Sequence, residues 1–272
     1  MRKWPRSLAV YFISVVFAIV SVYPIFWVVT VSMKSVKEYE MSPFGLPSSL
    51  RFENYARVLL DPRILRFMLN SLLVTCISVG LVLIFSLPSA YSLGRLRSKF
   101  SHAILIVFML NFMMPVLVFM TPLFILVKKL GLLGSYWSII LPYSASRIGL
   151  SVFILRSFFR TIPSEVEDAA KVDGCGSFQT FLRICVPAVR GGILVVAIIN
   201  FIAIWNEYFL ALVIIQKQEM FTLPLGLMLF VYDYSANWPL MAVLLVMSVA
   251  PVLLLYAFFQ ESLVKGWGYV NK

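Results

Sequence analysis

Six long runs of apolar residues dominate this sequence and constrain its fold more than any other feature. The hydrocarbon core of a bilayer is about 30 Å thick, so one helical crossing needs about 20 apolar residues. Each run meets that length, and we therefore predict an all-α membrane protein with a single transmembrane domain over residues 1–272. The predicted helices span residues 8–31, 70–93, 103–127, 137–159, 186–215 and 240–263.

The composition excludes most soluble classes of protein. Hydrophobic residues make up 61% of the chain and charged residues only 13%, whereas soluble domains have about 45–50% and about 25%. The net charge of +11 comes from Lys and Arg scattered between the apolar runs. We attribute this charge to membrane topology and anionic lipid, and we expect no nucleic-acid partner.

Few residues of the kinds used in catalysis are present. His102 is the only histidine, and the three cysteines form no C-x-x-C pair, so we expect no metal site and no catalytic residues. The sequence also contains no phosphate-binding loop of the form G-x-x-x-x-G-K-[ST]. We predict a transport subunit that is not an enzyme and binds no cofactor of its own.

Lys and Arg near the ends of short loops indicate the orientation of the helices. They concentrate in alternate loops, which places both termini in the cytoplasm by the positive-inside rule. The first connector, residues 33–69, departs from this trend, and we interpret it as a folded external loop. Pro115 and Pro122 both fall in the third run and predict an irregular third span.

The loop between the fourth and fifth runs predicts a short cytoplasmic helix over about residues 164–174. Ser164 and Glu167 have the spacing of a capping box, in which each side chain bonds a backbone N–H at the helix start. Gly174 is a suitable left-handed residue after the helix end. A second helical segment should begin near Ser177 and continue to Pro187.

One face of the predicted loop helix has small residues at its centre. Val166, Ala169, Ala170 and Asp173 recur at helical spacing. The face suits insertion into a groove of a cytoplasmic partner. An interfacial helix lying on the bilayer is the alternative, although this helix has no Trp, Phe or Leu of its own.

The same loop resembles the EAA motif of ATP-binding-cassette importer membrane subunits, E-A-A-x3-G-x9-I-x-L-P. This chain has Asp168-Ala169-Ala170, then Gly174, then Ile184-Cys185-Val186-Pro187, with both spacings intact. It departs from the motif at Asp168, where the motif has Glu, and at Val186, where the motif has Leu.

The resemblance extends along nearly the whole chain and is closest to carbohydrate importers of the maltose-permease type, with a MetI-like transmembrane domain. Within that type the chain is similar to the smaller, six-helix partner. The motifs that carry it, in family order, include Asn54-Tyr55, Asn70-Ser71, residues 90–95, Leu141-Pro142-Tyr143, residues 158–163, and Trp205-Asn206-Glu207-Tyr208.

The resemblance implies a permease of the bacterial inner membrane that imports a sugar or oligosaccharide. The implied partners are two copies of an ATP-binding subunit, which hold the ATP and Mg, a second homologous permease, and an extracytoplasmic solute-binding protein. The residues implied to couple the chain to the ATPase are Glu165, Glu167, Asp168, Ala169, Ala170, Asp173 and Gly174. Candidate residues of the substrate path are Trp205, Asn206, Glu207, Arg147 and Asn111.

Two charges inside the apolar runs have alternative interpretations. Ionisable groups at membrane depth are often functional, and a Trp beside an amide and a carboxylate suits sugar hydroxyls. Trp205, Asn206 and Glu207 could equally form a structural polar cluster between helices. Arg147 could favour an acidic or phosphorylated substrate, pair with Glu207, or extend to the outer interface.

Other transport classes remain as alternatives. An ion-coupled secondary transporter normally has several buried carboxylates and related repeats, but Glu207 is the only clear carboxylate within a run. A receptor or scaffold without transport is a third class. Within the importer family, the alternative substrates are a polyol, an acidic saccharide or a glycerol phosphodiester.

Overall fold

The computed structural model describes residues 4–95, 99–113, 115–234 and 237–270, and its regular elements there are all helical. A π-helical turn occupies Phe181–Cys185 and a 3₁₀ turn occupies Gln218–Met220. The α-helices are α1 (Trp4–Ser32), α2 (Val36–Met41), α3 (Glu53–Leu59), α4 (Pro62–Arg95), α5 (Lys99–Met113), α6 (Val116–Lys129), α7 (Trp137–Arg160), α8 (Ser164–Val172), α9 (Ser177–Thr180), α10 (Val186–Ala188), α11 (Arg190–Trp205), α12 (Phe209–Ile214), α13 (Leu223–Asp233) and α14 (Trp238–Val270).

Four helices in the described residues are long and apolar enough to cross a membrane by themselves. They are Val10–Ser32, Pro62–Arg95, Trp137–Arg160 and Trp238–Gln260, and the bent pair Ser177–Ala188 and Arg190–Trp205 adds a fifth if it counts as one span. These helices correspond to the first, second, fourth, sixth and fifth predicted runs. The predicted bounds of the fourth run agree with those of α7 within one residue, whereas α14 continues past the predicted end of the sixth run at residue 263.

The third predicted span is not one helix. Helix α5 ends at Met113, and α6 begins at Val116 after Pro115, whose ψ of 130° is extended. The predicted irregularity is therefore confirmed, and the span predicted over 103–127 consists of two helices. Pro115 has no N–H to donate, and its ring clashes with the preceding turn, so a helix ends before it.

The fifth predicted span, 186–215, is wrong as a single helix. It is divided into α10, α11 and α12, with a bend of 74° between the segments that meet at Val189. A second break occupies residues 206–208, between α11 and α12. Hydropathy averaged over the run did not reveal either break, although Arg190 follows the first break and Asn206 and Glu207 lie in the second.

Helix α4 begins eight residues before the predicted start at residue 70. Its first turn has a local cause that the apolar pattern does not include. The Asp61 carboxylate accepts the backbone N–H of Arg63 at 2.9 Å, and Pro62 occupies the first helical position, where its missing N–H has no cost. The polar first turns of α4 are thus part of the helix.

The chain divides into two compact units, Met1–Arg66 with Gly226–Pro251 and Phe67–Leu225 with Val252–Lys272. In the first unit, the connector after α1 is folded around Lys34. The Lys34 side chain is fully buried, and its Nζ donates to the carbonyls of Ser42 at 2.7 Å and Pro43 at 3.2 Å. Asn54 Nδ2 donates to the carbonyls of Ser32 and Lys34. The prediction of a folded connector is confirmed.

The second unit contains two hydrophobic clusters. One joins the first half of α4 to the start of α7, the end of α6 and α12. The other joins the end of α4 to the end of α7, the π-helical turn and the start of α11. Helices α4 and α7 therefore run parallel between the clusters, while α5–α6 and α11 run in the opposite direction.

Candidate coupling helix and polar site in the spans

Helix α8 lies between α7 and the bent fifth segment, where the EAA resemblance places the coupling helix. It begins at Ser164, after Pro163 with an extended backbone, and its first turn has two acidic residues that suit the positive helix end. The predicted capping box is wrong, because Ser164 is the first helical residue and no side chain caps the start. The Glu167 side chain is used elsewhere.

The end of α8 is a Schellman motif, as the sequence predicted from Gly174. Gly174 has φ +80°, its N–H donates to the Lys171 carbonyl at 3.0 Å, and the N–H of Cys175 donates to the Ala170 carbonyl at 2.9 Å. These are the two bonds of that motif. The helix itself ends at Val172, two residues before the predicted bound of 174.

Glu167 connects α8 to two other elements. Its carboxylate forms an ion pair with Arg95, the last residue of α4, and accepts the Tyr91 hydroxyl at 3.0 Å. The Cys185 thiol in the π-helical turn lies 3.7 Å from Glu167 Oε1. Only 13% of the Glu167 side chain is exposed. We name Glu167, Arg95, Tyr91 and Cys185 the Glu167 junction.

The remaining coupling residues divide between an inner and an outer side of α8. Ala170 is buried, whereas Glu165, Asp168, Ala169 and Asp173 are exposed. The predicted face of Val166, Ala169, Ala170 and Asp173 is therefore not free along its whole length, because Ala170 packs inward.

Exposed side chains of α8 and its surroundings are both charged and apolar. Asp168 and Lys171 form an ion pair of 2.9 Å on the outer side, and the hydrogen bond to Asp168 raises the pKa of Lys171. Val172 is 88% exposed and Phe178, at the start of α9, is 71% exposed. Exposed apolar side chains of this kind suit a contact with a partner protein or with lipid.

A polar cluster lies where the chain breaks between α11 and α12. Glu207 Oε2 accepts the Tyr143 hydroxyl from α7 at 2.6 Å. Its two oxygens also accept the first N–H groups of α12, from Leu210 at 2.8 Å and Ala211 at 3.3 Å. Glu207 thereby closes the N-terminus of α12 and ties it to α7, which favours a structural polar cluster.

The other predicted members of the substrate path are Trp205, Asn206, Asn111 and Arg147. The Trp205 side chain is buried, with its ring stacked on Phe201 at 5.7 Å, so its face does not lie open to a sugar. Asn206 is exposed and donates to the Ile202 carbonyl at the end of α11. Asn111 belongs to α5, and its side chain lies outside the described part of the structure.

Arg147 is half-buried in the middle of α7, one turn after Tyr143. Its guanidinium forms no ion pair within 4.0 Å among the described residues, so pairing with Glu207 is not observed. Glu207 instead uses its oxygens on Tyr143 and α12.

Sequence reasoning missed one intramembrane polar residue. Asn200 in α11 is buried, and its Nδ2 donates to Ser151 Oγ in α7 at 2.9 Å and to the Val196 carbonyl. An amide in the middle of an apolar run is a signal for such a contact between helices.

The chain matches known proteins along nearly its whole length. Residues 83–268 match the family described as "Binding-protein-dependent transport system inner membrane component". The chain belongs to this family. It is thus an inner membrane component of a transport system that works with a binding protein.

Relatives of the chain are permeases, and some of them are named for a cargo. The permease NgcG of a diacetylchitobiose uptake system from Streptomyces coelicolor is 33% identical over 92% of this chain and 83% of the relative. The permease SmoH of a sulfoquinovosyl glycerol transport system from Agrobacterium fabrum is 31% identical over 90% of this chain and 86% of the relative.

A solved structure shares the fold. A chain of a bacterial ABC transporter involved in the import of the acidic polysaccharide alginate superposes with a TM-score of 0.83. The match covers 96% of this chain and 98% of the other at 23% identity, and it therefore supports the fold alone.

Proposed function

We propose that this chain is the membrane-spanning permease subunit of an ATP-binding-cassette importer that moves a saccharide delivered by an extracytoplasmic binding protein. The single observation that carries the proposal is α8, a capped loop helix with an exposed acidic and apolar outer side, held to α4 by the Glu167 junction. Permease relatives named for diacetylchitobiose and sulfoquinovosyl glycerol support the saccharide class.

The proposed topology has six crossings within one transmembrane domain, residues 1–272, with both termini in the cytoplasm. The support comes from the second unit, where α4 and α7 run one way and α5–α6 and α11 run the other. Counting α5–α6 and α10–α12 as one broken crossing each, and adding α1 and α14, gives six. Non-helical backbone at membrane depth is tolerated where protein covers it or it lines a cavity.

The proposed assembly has a second homologous permease and two ATP-binding subunits, one beneath each permease. ATP and Mg are held by the ATP-binding subunits, and this chain binds no cofactor itself. In this assembly Glu165, Asp168, Ala169 and Asp173 face the groove of the ATP-binding subunit, since they are the exposed coupling residues.

The mechanism follows from how α8 is attached. A groove that closes on ATP binding moves α8, and the ion pair from Glu167 to Arg95 passes that displacement to the end of α4. The tight turn at Gly174 passes it to α9 and the bent fifth segment. Two arrangements of the helices then alternate, with the nucleotide shifting their balance.

Crosslinking tests the docking of α8. Ala169→Cys in a chain without its native cysteines should crosslink to cysteines placed along the groove of the co-expressed ATP-binding subunit. The yield should change between the ATP-bound and nucleotide-free states, because the groove closes around the helix.

Leu130→Cys is the matched control. Leu130 is also exposed, but it follows α6, next to the hydrophobic cluster that contains the start of α7. It should form no crosslink to the ATP-binding subunit. An active complex in which Ala169→Cys remains uncrosslinked at every groove position would overturn the proposed docking.

A further inference from the structure

We propose that Arg147 is a specificity-determining residue that binds the carboxylate or sulfonate of an anionic saccharide in the translocation path. This inference rests on the proposed function and narrows the saccharide class. It begins with the depth of the residue. At about 1.5 Å per residue, Arg147 lies about 15 Å from the start of α7 at Trp137 and about 20 Å from its end at Arg160.

That depth excludes the outer interface as the position of the guanidinium. Snorkelling to the interface serves Lys and Arg near helix ends, and Arg147 is near neither end of α7. A cation that faces lipid in the middle of a span has a high free-energy cost. The half-exposed side chain therefore faces an aqueous path or another protein surface.

No counter-charge among the described residues satisfies the guanidinium. The described residues include no carboxylate oxygen within 4.0 Å of it. Glu207 is the carboxylate close enough to act on Arg147 electrostatically, but its oxygens are occupied by the Tyr143 hydroxyl and by two N–H groups of α12. Arg147 thus retains a charge and a set of donors without an acidic partner.

The residues around Arg147 place it beside the contacts that join α7 to the fifth segment. Tyr143, one turn earlier, bonds Glu207, and Ser151, one turn later, accepts from Asn200. Both of these residues are buried, whereas Arg147 between them is not. The α11–α12 break adjoins the Glu207 contact, and irregular backbone at this depth fits the wall of a cavity.

The chemistry of the guanidinium selects the ligand class. Its planar donors match the paired oxygens of a carboxylate or sulfonate, whereas a sugar hydroxyl presents neither a charge nor that geometry. A guanidinium in the path therefore favours a saccharide with an oxyanion over its neutral counterpart.

The test compares matched saccharides in the full complex, reconstituted in proteoliposomes with its ATPase, permease partner and binding protein. The probes are digalacturonate and the disaccharide in which both carboxylates are reduced to primary alcohols, with sulfoquinovosyl glycerol and glucosyl glycerol as the sulfonate pair. Uptake and ATP hydrolysis are measured for wild type, Arg147→Gln, Arg147→Lys and the control Arg51→Gln, an exposed arginine of the connector.

We expect wild type to import at least one anionic probe about tenfold faster than its neutral counterpart. Arg147→Gln should reduce that uptake about tenfold while basal ATP hydrolysis stays within twofold, and Arg147→Lys should be intermediate because it keeps charge without the planar donors. Arg51→Gln should behave as wild type.

Two results would overturn the inference alone. ATP-driven import of the neutral probe at the same or a higher rate leaves the proposed function standing but removes the anionic preference. An equal loss of neutral and anionic uptake in Arg147→Gln would show that Arg147 does not discriminate between the two probes. If no saccharide is imported and none stimulates ATP hydrolysis, the proposed function fails, and this inference fails with it.

Discussion

Glu167 and Glu207 are carboxylates of the second unit whose sequence positions suggest one role and whose contacts give another. Glu167 has the spacing of a capping residue but pairs with Arg95 and Tyr91. Glu207 lies in a motif that suits a substrate but bonds Tyr143 and the start of α12. In both cases the carboxylate oxygens interact with donor groups that would be costly to bury away from water without a partner.

Replacing Glu167 tests whether the junction transmits motion. In Glu167→Gln the size of the side chain is kept, but Arg95 loses its counter-charge, which should cost about 1–2 kcal/mol of stability for a partly exposed pair. We expect ATP hydrolysis to continue while transport per ATP falls about tenfold. Transport and ATP hydrolysis in proteoliposomes measure this ratio.

Glu40→Gln is the control, because Glu40 is an exposed carboxylate in the connector. It should leave the ratio unchanged. A normal ratio in Glu167→Gln would show that α8 moves the bundle without the Arg95 contact.

The ends of several helices depend on residues with special backbone properties. Helix α8 is followed by Gly174 with positive φ, and α4 begins at an Asp-Pro pair. The first turn of α11, after the bend, contains Gly191 and Gly192. A Cβ on Gly192 would lie 2.6 Å from the Phe158 ring in α7, whereas nothing lies within 4 Å of a Cβ on Gly191. Close packing of α11 on α7 therefore needs the glycine at position 192 but not the one at position 191.

The first prediction at this scale concerns the two glycines after α8. Gly174→Ala should destabilise the end of α8 by about 1 kcal/mol, because an L residue with a side chain is strained at positive φ. Gly176 has an ordinary φ of −69° and an open surrounding, so Gly176→Ala should be close to neutral. Transport per ATP should fall for Gly174→Ala alone. Equal effects of the two changes would mean that the turn geometry has no part in coupling.

A second prediction compares the adjacent glycines of α11. Gly192→Ala should shift α11 from Phe158 and reduce stability by about 1–3 kcal/mol, the usual range for overpacking. Gly191→Ala should have little effect. Thermal unfolding of the purified complex measures both, and similar melting temperatures for the two variants would contradict the close approach.

The third concerns the folded connector and pH. The backbone N–H of Ser48 lowers the pKa of Glu38, and the Arg63 guanidinium lowers the pKa of Asp61. Carboxyls with a lowered folded-state pKa stabilise the fold above their unfolded pKa, about 4, and this stabilisation is lost as the pH falls through the folded value.

Hydrogen exchange of the connector should therefore be constant from pH 7 to about 5, after correction for intrinsic rates, and faster below about 4. In Glu38→Gln the connector should be looser at pH 7 and less sensitive to acid. A connector that is equally protected at pH 3 and pH 7 would contradict the roles of both carboxyls.

At the scale of the whole molecule, the arrangement of the second unit supports transport rather than chemistry. Four segments run alternately between two hydrophobic clusters, and the coupling helix adjoins the cluster at the ends of α4 and α7. Force applied at one end of such a bundle changes the packing at the other, because packed interiors transmit displacement.

The proposed function also predicts the energy source, and this is the last prediction. Saccharide uptake by cells with the complete complex should stop when the ATP-binding subunit is deleted. It should persist when proton and sodium gradients are collapsed while cytosolic ATP is maintained. Uptake that follows an ion gradient without the ATP-binding subunit would instead support a secondary transporter.

The helical class, the positions of most spans and the turn that follows α8 could be predicted from the sequence. These features depend on local properties: the length of an apolar run, the missing N–H of Pro115 and the freedom of Gly174 at positive φ. The family motif is likewise a matter of spacing along the chain.

Only the tertiary structure decided where the fifth run breaks and where the charged side chains go. Tyr143 and Glu207 are 64 residues apart, and Tyr91 and Glu167 are 76 apart. Burial of polar groups makes such contacts obligatory, but which donor meets which acceptor depends on how the helices pack. Trp205 is buried and Arg147 is left without an acidic partner in the described chain for the same reason.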